Sequence, residues 1–438
     1  MKAREVVLAI LIILAGTAVS LVKSGRIGWD GDVGDFVFSR GEEFVFEDVL
    51  EIDPPLPGRI EILNARGSVT VEAAETDTAA VGFKKRIVRR TREEAEQLSG
   101  ELKMIVNRTE DRLILSTNRE DFRRRTFETD FQVAVPAGSS VLIKNSRGPV
   151  RTTGTGPTEI SNFRGDVVAA SVGGTLVLEA SYGSVTVDGV HGQARLTCPQ
   201  SDVVVKNVQG DLVIDHCYGR IRVENASERL TINGRHSKVL ARNIGGEAEI
   251  RTTYEPVTVI QGRDVIIRGH HNAVTITDTT GTCDIANEYG SVRLDNLAGD
   301  VKFQGRKAGF VGRGVRAGTL SIVTSYENVD LRGFTGEATI SVGHAAILLE
   351  PEEITGPLTV EGNRADIRFL WPAEARNPFE AEARQGTIFW GLALPPSSAT
   401  TNGTPITKAF LEETGRPAVV LRTTYGDIRV EESPRRPS

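Results

Sequence analysis

All six tyrosines of this chain stand at one position of a repeat, which constrains its fold more than any other feature. Tyr182, Tyr218, Tyr254, Tyr289 and Tyr326 follow one another at 36, 36, 35 and 37 residues. The sixth, Tyr425, opens Tyr-Gly-Asp-Ile-Arg-Val, the same phrase as Tyr-Gly-Ser-Val-Thr-Val at Tyr182. The period then halves. Val203-x-Val205-x-x-Val208-x-Gly210-x-Leu212-x-Ile214 stands 18 residues after Val185-x-Val187-x-x-Val190-x-Gly192-x-Ala194-x-Leu196. Its first apolar position recurs from Val167 through Ile221, Val239, Val257, Val274, Val292 and Phe310 to Val329, always at a spacing of 17–19.

Each unit holds two short apolar–polar alternations, the mark of two half-buried strands. Between them lies a Val-x-Gly corner, where glycine can supply a turn conformation closed to other residues. One such unit cannot bury its own inward face, whereas stacked copies bury each other's and pair strand edges from coil to coil. The predicted fold is all-β, a β-solenoid (β-helix) of ~18-residue coils. Propeller blades need ~40–45 residues with four strands each, which the regular subdivision opposes. The handedness of the coil is left open.

Outside the repeats, Thr91-Arg92-Glu93-Glu94 forms a capping box, with Ala95, Leu98 and Leu102 following at helical spacing. Upstream and downstream of this helix, Ile60-x-Ile62-x-x-x-Arg66-Gly67-x-Val69-x-Val71 and Val141-x-Ile143-x-x-x-Arg147-Gly148-x-Val150 already carry the corner phrase. After about Phe369 the rhythm degrades among prolines, then returns at Tyr425. The expected organisation is a membrane anchor or signal segment at 1–22 and a linker with first strands at 23–57. A small α+β entry cap at 58–148, solenoid repeats at 149–370, and a C-terminal cap and tail at 371–438 complete it.

An uncharged run of seventeen residues begins at Val6 and ends at Val22, between Lys2/Arg4 and Lys23/Arg26. It is at the short end of what spans a bilayer as a helix. Small residues Ala18 and Ser20 also suit a signal cleavage site. Under either reading the body is exported, to the bacterial membrane surface if anchored, or secreted or periplasmic if cleaved. Lys+Arg 52 against Asp+Glu 58 gives a net charge of −6, which argues against a nucleic-acid binder. With 39% apolar residues the chain can bury a core. Its 3 cysteines exclude a disulfide framework and any multi-cysteine metal cluster.

An export signal, then Ile60-x-Ile62-x-Asn64-x-x-Gly67-x-Val69-x-Val71, a short capped helix and repeated Gly-x-Val-x-Val phrases together resemble the bacterial putative-adhesin family. These are membrane-associated proteins of undefined biochemical role. The resemblance covers roughly residues 58–370. It implies a surface β-solenoid that binds partners or senses the envelope, and it supplies no catalytic residues.

Two roles fit the tyrosine column of Tyr182, Tyr218, Tyr254, Tyr289 and Tyr326. On every second coil the rings recur at ~10 Å, a spacing at which they can grip sugar faces; alternatively they pad one corner of the coil. The run Lys84, Lys85, Arg86, Arg89, Arg90 and the triplet Arg123, Arg124, Arg125 are the strong positive clusters, suited to a polyanion or to plain solvation. His191, His216, His236, His270, His271 and His344 lack metal-site spacing and read as exposed loop residues, although His236 and His271 fall one coil after a tyrosine. Cys283 reads as a small core residue, while Cys198 and Cys217, about one coil apart, admit a disulfide as one outcome. Acids that follow glycine (Asp166, Asp211, Glu247, Asp300, Glu337) recur one to a coil, as corner chemistry does. No catalytic, metal or cofactor motif is present.

The expectation is therefore a non-enzymatic, membrane-anchored extracytoplasmic binding or scaffolding surface at the cell envelope. Its partners would be envelope polymers, surface proteins or further copies of itself. A β-helix polysaccharide lyase or hydrolase and a self-polymerising scaffold are the alternatives.

Overall fold

The structure, a computed structural model, describes residues 41–122, 127–373, 375–393, 397–401, 406–411 and 416–434. It is an all-β solenoid of about 13 turns. The chain divides into two compact units, 1–148 and 149–438. The run from Val6 to Val22 lies outside the described residues, and none of the described helices is long and apolar enough to cross a membrane.

In the second unit the 18-residue period becomes parallel register. Val185, Val203, Ile221, Val239 and Val257 pair one above another, and each is at most 1% exposed. Leu176, Ala194, Leu212 and Leu230 form the facing column, also at most 1% exposed. Inward positions two residues apart alternate with outward polar ones, so each strand face has one fate. Burying each valine or leucine side chain is worth roughly 1.5–3 kcal/mol.

The corners are built differently from the expectation. At the first, the left-handed residue is not the Val-x-Gly glycine but the one just before the valine. Ser171, Gly189, Asn207, Asn225 and Asn243 all have φ between 51° and 76°. Asparagine tolerates this conformation better than most residues, and here its amide adds a bond between coils. Asn225 donates to Asn207 and Asn243 to Asn225, each at 2.9 Å. The Val-x-Gly glycines serve close approach instead, since a Cβ on Gly192 or Gly210 would lie 2.8 Å from the glycine carbonyl one coil below.

Coil order and chain order part company at the end of this unit. Strands Val419–Thr424 and Ile428–Glu432 lie between earlier parts of the chain. The first pairs in parallel with Leu358–Asn363 on one edge and Phe379–Arg384 on the other. The second pairs in the same way with Ile367–Trp371 and Ile388–Trp390. The chain thus skips one coil, lays down the next, and returns to fill the gap. The antiparallel strand Ile406–Leu411 pairs with Phe379–Arg384, and Ser397–Thr401 pairs with Ile406–Leu411.

In the first unit too, spatial order departs from chain order, with an early strand flanked by two later ones. Strand Arg59–Asn64 lies between Arg112–Thr117 and Ser140–Arg147, parallel to both. Strand Ala79–Arg89 runs antiparallel against Phe127–Pro136 and Glu42–Ile52. Helix α1 (Arg92–Glu101) starts as its capping box predicts, with the Thr91 hydroxyl accepting from the Glu94 amide at 3.3 Å. Ala95, Leu98 and Leu102 pack with Ile87 and Phe127 under Phe44, Phe46 and Phe122.

Candidate functional site

Over its middle the tyrosine corner is a continuous stack rather than one ring on every second coil. Coils without a tyrosine carry histidine, glutamine or a long cation there, and the rings meet at each step from Tyr218 to Tyr289. Tyr218 stacks on His236 and His236 on Tyr254, both with centroids 4.9 Å apart. His271 lies 5.0 Å from Tyr254 and 4.6 Å from Tyr289. Interplanar angles along this run are 3–13°. Lys307 then bridges Tyr289 and Tyr326, 5.5 and 5.9 Å from their ring centres. Tyr326 stacks on His344 at 4.9 Å, and Arg364 lies over Tyr425 at 5.8 Å. Tyr182, by contrast, meets Phe163 edge-on and Arg164 from above. Histidines 236, 271 and 344 are therefore members of the ladder, correcting their reading as loop residues.

Nearly all these residues are left-handed. Tyr218, His236, Tyr254, His271, Tyr289, Tyr326 and His344 have φ of 51–67°. That conformation costs a non-glycine residue roughly 1–2 kcal/mol. An aromatic stack returns about 0.5–1.5 kcal/mol beyond the area it buries, so stacking roughly offsets the strain. The rings remain half in water, with Tyr218 53% and Tyr254 55% exposed. Stacked parallel to one another, however, they cover each other's faces. A sugar ring cannot lie flat on them, and the expected sugar-gripping platform gives way to a line of edges presenting hydroxyls and ring nitrogens.

The other titratable candidates are structural. His216 is buried, correcting its reading as exposed. Its Nε2–H donates to the Ser201 carbonyl at 2.6 Å and its Nδ1 accepts from the Ser237 hydroxyl at 2.8 Å. Burial holds its pKa below the ordinary value of 6.5, against the pull of the Ser201 carbonyl and Asp202. The unfolded chain therefore binds this proton more readily, and stability falls as pH drops from about 6.5 toward the lowered value. His216→Asn should flatten that part of the pH dependence, as measured by thermal midpoint against wild type. Cys198 and Cys217 are free, Cys198 buried and Cys217 half-buried. Burial pushes the Cys198 and Cys283 thiols up to about 12.

The basic run lies on strand Ala79–Arg89 and is largely neutralised. Lys84 pairs with Glu47 at 2.6 Å and Lys85 with Asp48 at 2.8 Å. Arg86 meets Glu128 at 2.6 Å and Asp130 at 2.9 Å. Burial opposes its charge, but these carboxylates outweigh that and hold its pKa above the ordinary value. Arg89 donates to the Val88 carbonyl and Arg90 is exposed. Arg123, Arg124 and Arg125 lie outside the described residues. Cross-strand partners that the linear sequence separates by about 40 residues thus weaken the polyanion reading of Lys84, Lys85 and Arg86.

Acids after the corner glycines bond the next coil: Asp166 accepts from the Ser184 amide and Asp300 from the Thr319 amide, both at 2.8 Å. A groove of about 420 Å³ beside the upper ladder is lined by Glu361, Asn363, Glu382, Arg384 and Arg422. Within it Glu382 is already joined to Arg384 at 2.7 Å. Among the described residues no three His, Cys, Asp or Glu side chains are placed to hold a metal ion.

No family model matches the chain, and no curated protein matches it. Among solved structures it is similar to a "putative cell adhesion protein" from Clostridium sporogenes, at 6% identity and a TM-score of 0.17. That alignment covers 89% of this chain and 100% of the other. A score so low adds nothing to what the coil register already establishes, and the adhesin family remains a resemblance.

Proposed function

We propose that this chain is a non-enzymatic, adhesin-like binding surface at the bacterial cell envelope. The segment from Val6 to Val22 anchors it, its body lies outside the cytoplasm, and the ladder corner is its working part. The contrast between the two corners carries this reading. Both corners need left-handed residues, and one meets the need with small asparagines bonded to each other. The other, apart from Gln200 and Gln385, uses tyrosine, histidine, lysine and arginine, which strain more and expose far more surface. Architecture alone would have been served by asparagine. Repetition then supplies strength, because many equivalent weak contacts along a rigid corner add through effective concentration.

Asparagine also provides the test, since it preserves the corner while removing the rings. A variant with Tyr218, His236, Tyr254 and His271 all changed to Asn should keep its far-UV circular dichroism. Its retention on isolated cell-envelope fractions should drop at least tenfold. Unchanged retention with a lowered thermal midpoint would assign the ladder to stability alone.

A further inference from the structure

Resting on that reading, we infer that the ladder corner binds a linear acidic polysaccharide, with Arg235, Arg306 and Lys307 taking its carboxylates. The corner column and the position just before it form a narrow strip running along the coils. Pairing places Cys217 beside Arg235, His270 beside Glu288, and Glu288 beside Arg306. From coil to coil the strip carries the cations Arg235, Arg306, Lys307, Arg364 and Arg384. Its one acid, Glu288, faces His270 at 3.5 Å. On the far flank Glu255 and Glu327 follow the corner directly, and one row further out Arg220 and Lys238 stand with Asp166, Asp202, Asp366 and Asp427.

Three cations of this strip are used differently from most arginines of the flat faces. On the flat outer faces arginines are joined to neighbouring acids, as in Arg222–Glu224, Arg268–Asp284 and Arg313–Asp330. The Arg235 and Arg306 guanidinium groups have no ion-pair or hydrogen-bond partner among the described residues, and both are exposed. Lys307 spends its charge on two ring faces rather than on an acid. Of the strip's cations, Arg384 alone is joined to an acid among the described residues, Glu382, while Arg235, Arg306 and Lys307 are not, in a chain whose overall charge is −6.

The chemistry between these cations selects the ligand. Planar guanidinium groups match carboxylates, and the ring hydroxyls and imidazole nitrogens between them are partners for sugar hydroxyls. Coils rise about 4.8 Å each, close to the length of one sugar along an extended polysaccharide, so ligand and ladder can stay in step. Single-stranded nucleic acid fits poorly, because its bases need open aromatic faces and the stack has covered them.

The test uses the full-length chain on immobilised polygalacturonate, with dextran, polyglycerol phosphate and single-stranded DNA as comparison surfaces. We expect retention on polygalacturonate, weaker as salt rises, and little on dextran. The combined Arg235→Gln, Arg306→Gln, Lys307→Gln variant should bind about tenfold or more weakly, three exposed charge contacts each contributing a modest share. Arg222→Gln with Arg293→Gln, on a flat face, should leave binding within about twofold. Equal binding by the triple variant would overturn the inference, as would tighter binding to polyglycerol phosphate, DNA or dextran. If polygalacturonate is not held while the asparagine variant still loses envelope retention, the ligand assignment fails and the binding surface stands.

Discussion

Removing residues 412–438 will unwind the coils that precede them in the chain, not merely shorten the solenoid. Strands Val419–Thr424 and Ile428–Glu432 are the parallel partners of four other strands. Val419, Leu421, Ile428 and Val430 are all 0% exposed. Deleting one such side chain alone costs about 2–5 kcal/mol, so losing four, at about 8–20 kcal/mol, is as large as the ~5–15 kcal/mol that holds a typical domain. Hydrogen exchange should show protection lost across Leu358–Asn363, Ile367–Trp371 and Phe379–Arg384 while Leu212–Ala226 stays protected. The single variant Leu421→Ala should lower stability by about 2–5 kcal/mol in a denaturant titration. Full protection of Leu358–Asn363 in the truncated chain would contradict the threaded order.

Gly290→Ala is expected to cost about 3 kcal/mol or more, and Gly314→Asn to change stability by less than about 1 kcal/mol. Gly290 follows Tyr289 at φ +121°, and a Cβ there would run into the Asn272 carbonyl of the coil below. Conformational strain alone accounts for ~1–3 kcal/mol, and the backbone can relieve the clash only by parting two coils. Gly314 is also left-handed, at φ +62°, but its nearest neighbour is the Asn296 Cα at 3.7 Å. Asparagine there would continue the bonded column in which Asn296 donates to Asp278 at 2.6 Å. That bond and the more restricted unfolded chain, worth about 0.4–1 kcal/mol, roughly offset the left-handed strain, which asparagine bears better than most residues. Denaturant midpoints of the two variants check the contrast. A tolerant Gly290 or a damaging Gly314→Asn would mean that contact between coils does not govern these positions.

The coil length, the inward columns and the capped helix were legible because each is a local pattern repeated at short range. Stacking partners at the ends were not. Ile428-x-Val430 reads alike whichever coil it lies on, so the phrase marks a coil without giving its place in the pile. At the ladder, spacing already put His236 and His271 one coil after a tyrosine, but residue type carried no hint that imidazoles would complete a stack. Left-handed corners were equally hidden, since Tyr218 and Tyr254 are poor candidates for such a backbone until their neighbours are present. The pairing of Lys84, Lys85 and Arg86 depended on strands Glu42–Ile52 and Phe127–Pro136 arriving alongside, which no charge count foresees.

The returning strands at 419–432 also decide where such a protein can grow. A strand tucked beneath its predecessor acts like a locking stitch: duplicating sequence at that tail would leave the extra segment without a seat. A spare module copied between Val185 and Thr279 would slide into the pile with its valines, asparagines and corner ring already in line. Longer natural versions of this architecture should therefore carry their added modules in the middle and keep their fastened tail unchanged.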